Sequence, residues 1–364
     1  MPGGPRASGA LANLALVLAG TVAACALLEL TLRALRVETA AHHAIGGFTV
    51  YDPVLGWRLA PARERVFQGA HFAVRIAHNA EGLRDRHYPY EREPGRRRIL
   101  VLGDSFVWCW GVEQAECFTE VAEAALGGAD VINAGVPGWS TAQEMLWYER
   151  EGRRYRPDLV LLVFVPNDPA DNVSDQRGPR FRLGGDRLVA PVGPAPRRKG
   201  PVREWLTAHS KLFAELGYMA AVAREALQYA GADERGGHVE RDPGAPARGQ
   251  AHVPAEPPPA SKAWRLTEAL LDRLAADVKA DGARFAIVNE ELPRPMGPWL
   301  RAFCTARDIA CLPIGPGLTA ARARGERVRL ERDPHLAPAG QKVVVHELLA
   351  FLQRERLLPG PGPR

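Results

Sequence analysis

Beyond Val37 the chain has no apolar run long enough to cross a bilayer, it has no Cys-x-x-Cys pair, and only five of its 47 basic residues are lysine (Lys199, Lys211, Lys262, Lys279 and Lys342). The first absence excludes a multi-span membrane protein, and 46% hydrophobic with 24% charged residues excludes global disorder. The second, with no Cys/His cluster at ligand spacing, excludes a structural zinc site. The basic residues are scattered without interleaved aromatics, so a net charge of +5 and a pI of 9.1 do not make a nucleic-acid surface. No nucleic-acid partner, metal or cofactor is expected. Five cysteines cannot all pair with one another. Cys25 lies in the most apolar segment, and Cys109, Cys117, Cys304 and Cys311 read as buried free thiols, with one or two disulfides as the alternative in an oxidising compartment.

The long apolar run is at the start. Ala10 to Leu28 are nineteen residues without a charge, and apolar character resumes after Glu29 as far as Val37, enough for a hydrocarbon core of roughly 30 Å. Residues 1–9 are a tail and 10–37 a single membrane-spanning helix. A cleaved signal peptide and a lipoprotein signal at Val22-Ala23-Ala24-Cys25 are the alternatives. Arg6 and the amino terminus face Arg33 and Arg36 across the span, so charge does not orient it.

Residues 38–96 carry turn signals at Tyr51-Asp52-Pro53, Leu55-Gly56-Trp57 and Ala80-Glu81-Gly82 and read as a stem with short strands. From 97 to 355 the pattern changes to apolar runs at Ile99 to Leu102, Val131 to Ile132, Leu159 to Val165, Phe285 to Val288 and Ile309 to Ile314, with helical stretches between. Such runs imply a parallel sheet covered on both faces, an α/β sandwich. The alternation is interrupted over 172–263. There Val202 to Tyr229 has Trp205, Leu212, Leu216 and Met219 at helical spacing, which predicts an amphipathic helix with one face buried, on the sheet edge or over a crevice. Residues 231–261, rich in Gly, Pro and charge, are expected to be a mobile linker, and 356–364 a tail.

Open parallel sheets bind ligands beyond the carboxyl ends of their strands, and four such places carry chemistry. Gly103-Asp104-Ser105 follows the first run, its serine where a helix should begin and able to act as a nucleophile. Asn133-Ala134-Gly135-Val136-Pro137-Gly138 precedes a helix capped by Ser140 or Thr141. Pro166-Asn167-Asp168 follows the most apolar run, where Asn167 either caps a helix or aims its amide into the crevice of Ser105. Asp333-Pro334-His335 supplies a base, since a carboxylate on one imidazole nitrogen leaves the other free to take a serine proton. Cys109 lies near Ser105, but no histidine neighbours it in sequence.

Taken together, these segments resemble the SGNH/GDSL hydrolase family, in a bacterial membrane-anchored branch, over roughly residues 45 to 355. The order carries the resemblance: Gly138 is 33 residues after Ser105, Asn167 is 29 further on, and His335 lies near the domain's end. The resemblance implies a flavodoxin-like three-layer sandwich. It makes Ser105 the nucleophile, His335 the general base and acid, and Asp333 its orienter. Ser105 and Gly138 N–H groups and the Asn167 amide would form the oxyanion hole. It further implies an acyl-ester substrate, such as an acylated glycan or lipid, and a domain in the periplasm or outside the cell. Two departures stand out: Cys109 occupies a position where the family often has a small residue, and the acid lies two residues before the histidine rather than the commoner three. Water as acceptor gives a hydrolase and a sugar hydroxyl an O-acyltransferase; a non-catalytic component of an envelope polysaccharide system is the reading from another class.

Overall fold

Five strands, each apolar along nearly its whole length, pair in parallel: β5 (Arg97–Gly103), β6 (Ala129–Gly135), β7 (Leu159–Phe164), β10 (Arg284–Asn289) and β11 (Ala310–Pro313). The sheet order is β11-β10-β7-β5-β6. Counted among themselves, the parallel strands run 2-1-3-4-5, the flavodoxin-like order, whose direction of growth reverses between β5 and β7. The computed structural model describes residues 6–35, 47–69, 71–174, 178–185, 187–193, 202, 205–206, 209–213, 215–217, 219–220, 261–292, 296–331 and 333–358.

Alternation along each strand divides the core. Ile99, Val101, Val131, Leu159, Leu161, Val163, Ala286 and Val288 join one cluster with Phe118 and Ala122 of α2 (Phe118–Leu126), Leu318 and Ala321 of α7 (Gly315–Ala323), and Val344, Leu348, Phe351 and Leu352 of α8 (Pro338–Arg354). The other face is covered by α3 (Thr141–Arg150), the short α4 (Asp168–Asn172) and α5 (Lys262–Ala280), with Trp264 of α5 packed on Trp299 of α6 (Met296–Arg307). Burial of both sheet faces explains why the strands read as continuous apolar runs.

Two antiparallel hairpins precede the sheet, β1 (Thr49–Asp52) with β2 (Gly56–Leu59), and β3 (Glu64–Gln68) with β4 (Ala73–Ala77). They belong to the same compact unit as the sheet, which comprises Phe48–Pro196 and Pro243–Arg364. Their contacts fix the loops that follow the strands. Trp57 Nε1 donates to the Pro137 carbonyl at 3.1 Å and Trp139 Nε1 to the Trp57 carbonyl at 3.0 Å. Within the insertion, β8 (Arg180–Gly184) pairs with β9 (Arg187–Val192).

A second unit comprises Met1–Gly47 and Arg197–Asp242. Its α1 (Arg6–Ala34) contains a stretch, Ala12–Ala34, long and apolar enough to cross a membrane. Among the described residues of 202–229 the expected burial of one face is met only in part: Leu212 is half-buried, but Trp205, Leu216 and Met219 are 59%, 56% and 59% exposed. Helical spacing of apolar residues fixes the face, not the surface that covers it. Residues 221–229 and the linker expected up to residue 260 lie outside the described residues.

The free-thiol expectation is also corrected. Cys109 pairs with Cys117, and Cys304 with Cys311. The 3-10 turn Gln114–Glu116 brings the first pair's Cα atoms to 5.6 Å, and the junction of α6 with β11 brings the second pair's to 6.3 Å. Both separations suit a disulfide. Among the described residues Cys25 alone is free.

Candidate active site

β5 ends in Gly103, and Ser105 follows it at the switch point between β5 and β7, the place where open parallel sheets bind ligands. No helix begins at the serine. Residues 104–111 instead form consecutive turns, with Trp108 N–H donating to the Asp104 carbonyl and Trp110 N–H to that of Ser105. The reason lies in the next residues. Cys109 has φ +57° and Gly111 φ +74°, which breaks a right-handed helix, and the buried Arg84 guanidinium collects the carbonyls of Trp108, Cys109 and Val112 at 2.6 Å each. Gly135 permits this loop to lie on β6, since a Cβ there would meet Trp108 N at 2.3 Å.

His335 reaches Ser105 from 230 residues away. Its Nε2 lies 2.7 Å from Ser105 Oγ, and its Nδ1 lies 2.6 Å from Asp333 Oδ1, which also accepts the His335 backbone N–H at 2.9 Å. Read as donors, Nδ1–H gives to Asp333 and the serine hydroxyl to Nε2. Burial pushes the Asp333 carboxyl up, but the hydrogen bonds from His335 outweigh it, with a smaller contribution from Trp110, and hold it below the usual carboxylate range. Trp110 stacks on the imidazole at 5.0 Å between centroids and 15° between planes, and Phe106 lies 4.8 Å away.

The turn that carries His335 is held from behind. Arg329 donates to the Pro334 carbonyl and pairs with Glu290, just past the end of β10, and with Glu291 at 2.8 Å. Leu330 N–H donates to the His335 carbonyl at 2.9 Å. Burial raises Glu290 to about 7 despite the opposing pull of Arg329. Gly340 lets α8 start against this segment, where a Cβ would meet the Val328 carbonyl at 2.2 Å.

Gly138 and Asn167 follow β6 and β7, the two neighbours of β5. Gly138 has φ +78°, a conformation glycine adopts without strain. Ser140 caps α3, and its N–H donates to Gln143 Oε1 at 3.2 Å in a capping box. Asn167 is the N-cap of α4, and its amide donates to Asp171 Oδ2 at 2.9 Å. Behind these loops three buried carboxyls converge in charge. Burial, opposed by the Phe106 N–H, raises Asp104 to about 6, and burial followed by mutual repulsion pushes Glu144 and Asp168 well above the usual range. Both Glu144 oxygens and Asp168 Oδ1 lack a hydrogen-bond partner among the described residues.

Sequence reasoning missed Arg84, Arg329, Trp110 and these buried acids. Only Trp110 carried a signal, as an aromatic in the segment after the serine. Trp110 is backed by Phe67 and Phe72 from the second hairpin, beside Trp108 and His78. His78 Nδ1 lies 3.1 Å from the Ala60 carbonyl and its Nε2 accepts from Trp108 Nε1 at 3.2 Å, the neutral tautomer. Burial lowers it from 6.5 to about 4. The unfolded chain therefore takes up a proton on this side chain between those values and the folded chain does not, so stability falls as pH drops through that window. Relative to His78→Gln, which does not titrate, the unfolding free energy of the natural protein should fall by about 3 kcal/mol between about pH 7 and about pH 4. A difference constant with pH in urea titrations would contradict this.

A parallel 2-1-3-4-5 sheet with a serine, a histidine and an aspartate hydrogen-bonded in series beyond its strand ends defines the class: an α/β protein with a candidate active site at its switch point. No protein-family model and no curated protein matches the chain. Among solved structures it is similar to a lipolytic protein of the G-D-S-L family from Veillonella parvula, at 11% identity and a TM-score of 0.39 over 71% of this chain and 99% of the other. It is also similar to the psychrotrophic esterase EstA from Pseudoalteromonas sp., at 12% and 0.40 over 71% and 98%. A third is a catalytic mutant of Axe2, an acetylxylan esterase from Geobacillus stearothermophilus, at 11% and 0.36 over 70% and 94%.

Proposed function

We propose that the chain is a membrane-anchored serine esterase of SGNH/GDSL type that cleaves ester-linked acyl groups through an acyl-enzyme. The observation that carries this reading is the hydrogen-bonded series Asp333–His335–Ser105. His335 Nε2 takes the Ser105 proton as Oγ bonds to the ester carbonyl carbon. The imidazolium, stabilised by ionised Asp333, then protonates the departing alkoxide as the C–O bond breaks. Deacylation repeats the sequence with water. Negative charge on the carbonyl oxygen is met by the Ser105 and Gly138 N–H groups and the second amide hydrogen of Asn167, and losing one such donor costs roughly 3 to 4 kcal/mol. Neither backbone N–H donates to another group among the described residues, which leaves both available. Burial pushes the Glu144 and Asp168 carboxyls well above the usual carboxylate range, toward the uncharged form.

The anchor is assigned to 10–37, with the sheet domain outside the cytoplasm, an oxidising setting that suits two disulfides. Transfer to a sugar hydroxyl shares the acylation half and differs only in the acceptor. Incubation of the full chain with a fluorophosphonate should label one serine, and Ser105→Ala should abolish the label. Labelling that survives this change removes Ser105 as nucleophile.

A further inference from the structure

Glu29 is the one acidic residue in the apolar helix α1, and it is not left to lipid. Its side chain is only 17% exposed, in a helix whose Leu27, Leu28 and Leu30 are 68%, 47% and 63% exposed. One oxygen accepts from Lys211 N–H at 3.1 Å and from Arg33 Nε at 2.6 Å; the other accepts from Leu212 N–H at 2.9 Å and Ser210 Oγ at 2.9 Å. Ser210 Oγ in turn accepts Phe213 N–H at 3.0 Å, and Arg33 donates to the His209 carbonyl. Glu29 and Ser210 together accept the N–H groups of Lys211, Leu212 and Phe213, which open a helical turn, and the carboxylate faces the positive end of that turn. The contact is therefore a built joint between the anchor and the insertion.

The joint sets the depth of what it holds. Glu29 lies five residues before Ala34, the last residue of the apolar stretch among the described residues, which is about 7.5 Å along the axis at the α-helical rise. Helices that lie in the membrane interface bury their apolar face roughly 5–10 Å below the headgroups. The side chains free to enter lipid at that level are those found uncovered: Leu216 and Met219, one turn apart, and Trp205, stacked on His209 at 5.0 Å. Tryptophan favours this level of a bilayer.

We infer that the described residues between 202 and 220 form a second membrane element, lying in the lipid interface at the carboxyl-terminal end of the anchor and fixed there by Glu29. The occupant of the exposed Trp205, Leu216 and Met219 surface is the bilayer that α1 crosses, so the inference rests on the anchor reading.

The test uses the full chain in vesicles of phosphatidylcholine and phosphatidylglycerol. Leu216→Cys in a Cys25→Ser background gives a single free thiol for an environment-sensitive fluorophore. Doxyl-labelled lipids with the quencher near the headgroup should quench it at least about twofold more than lipids quenched near the chain end, as an interfacial depth requires. Adding Glu29→Ala should abolish the difference while alkali-resistant membrane retention persists, and Glu29→Gln, which keeps one acceptor, should fall between. A fluorophore in water, or one shielded by crosslinking to a second copy without lipid quenching, overturns the inference. Extraction of the natural chain by alkali would instead overturn the anchor reading itself.

Discussion

Replacing His335 by alanine is expected to lower kcat on a short-chain aryl ester by about six orders of magnitude, because nucleophile and base act as one unit and losing either costs about as much as losing all. The serine hydroxyl then has no acceptor at 2.7 Å, and no other described histidine touches it. The fold should survive. The turn is held through backbone groups, by Leu330 N–H on the His335 carbonyl and Arg329 on that of Pro334, and neither contact needs the imidazole. Loss of activity with an unchanged melting temperature is the expected pair of results. Activity undiminished in His335→Ala would end the assignment. Hydrogen bonds from His335 hold the Asp333 carboxyl below the ordinary carboxylate range.

What the sequence made legible follows from the sheet's burial. Leu159 to Val165 and Ile99 to Leu102 lie between two helical layers, so every position is apolar and the strands stand out without alternation. Strand ends mark where loops leave such a sheet, and this is why the segments that hold Ser105, Gly138 and Asn167 stood out in the sequence, while the roles within them came from the family resemblance. His335 was found by the carboxylate two residues away. Arg84 and Arg329 left no such trace, because they act on backbone carbonyls of Trp108, Cys109, Val112 and Pro334, and a carbonyl is the same group in every residue. The disulfides were hidden for a related reason. A spacing of eight or seven residues allows a bridge only when a turn or a helix end brings the Cα atoms together, and that closure depends on packing. Trp205, Leu216 and Met219 gave the right period and the wrong surroundings: periodicity registers apolarity, which protein and lipid satisfy alike.

Asp333→Asn should lower kcat by about four orders of magnitude with the melting temperature nearly unchanged. The carboxylate takes two hydrogen bonds on one oxygen, from the backbone N–H and from Nδ1 of His335, a geometry that an acid two residues before the base allows. Asparagine keeps the size and can still accept the backbone N–H through its carbonyl oxygen, so the turn persists. Its amide nitrogen, however, can donate to Nδ1. That stabilises the tautomer with the proton on Nε2, which then points at Ser105 and cannot accept from it. The surviving activity should come from oxyanion stabilisation and binding alone, and fluorophosphonate labelling should slow in parallel, because it needs the same proton transfer. The measurement is kcat on an aryl ester beside thermal unfolding of both proteins. A loss below about tenfold would shift the orienting role to another acid coupled electrostatically to His335, Asp104 or Glu290.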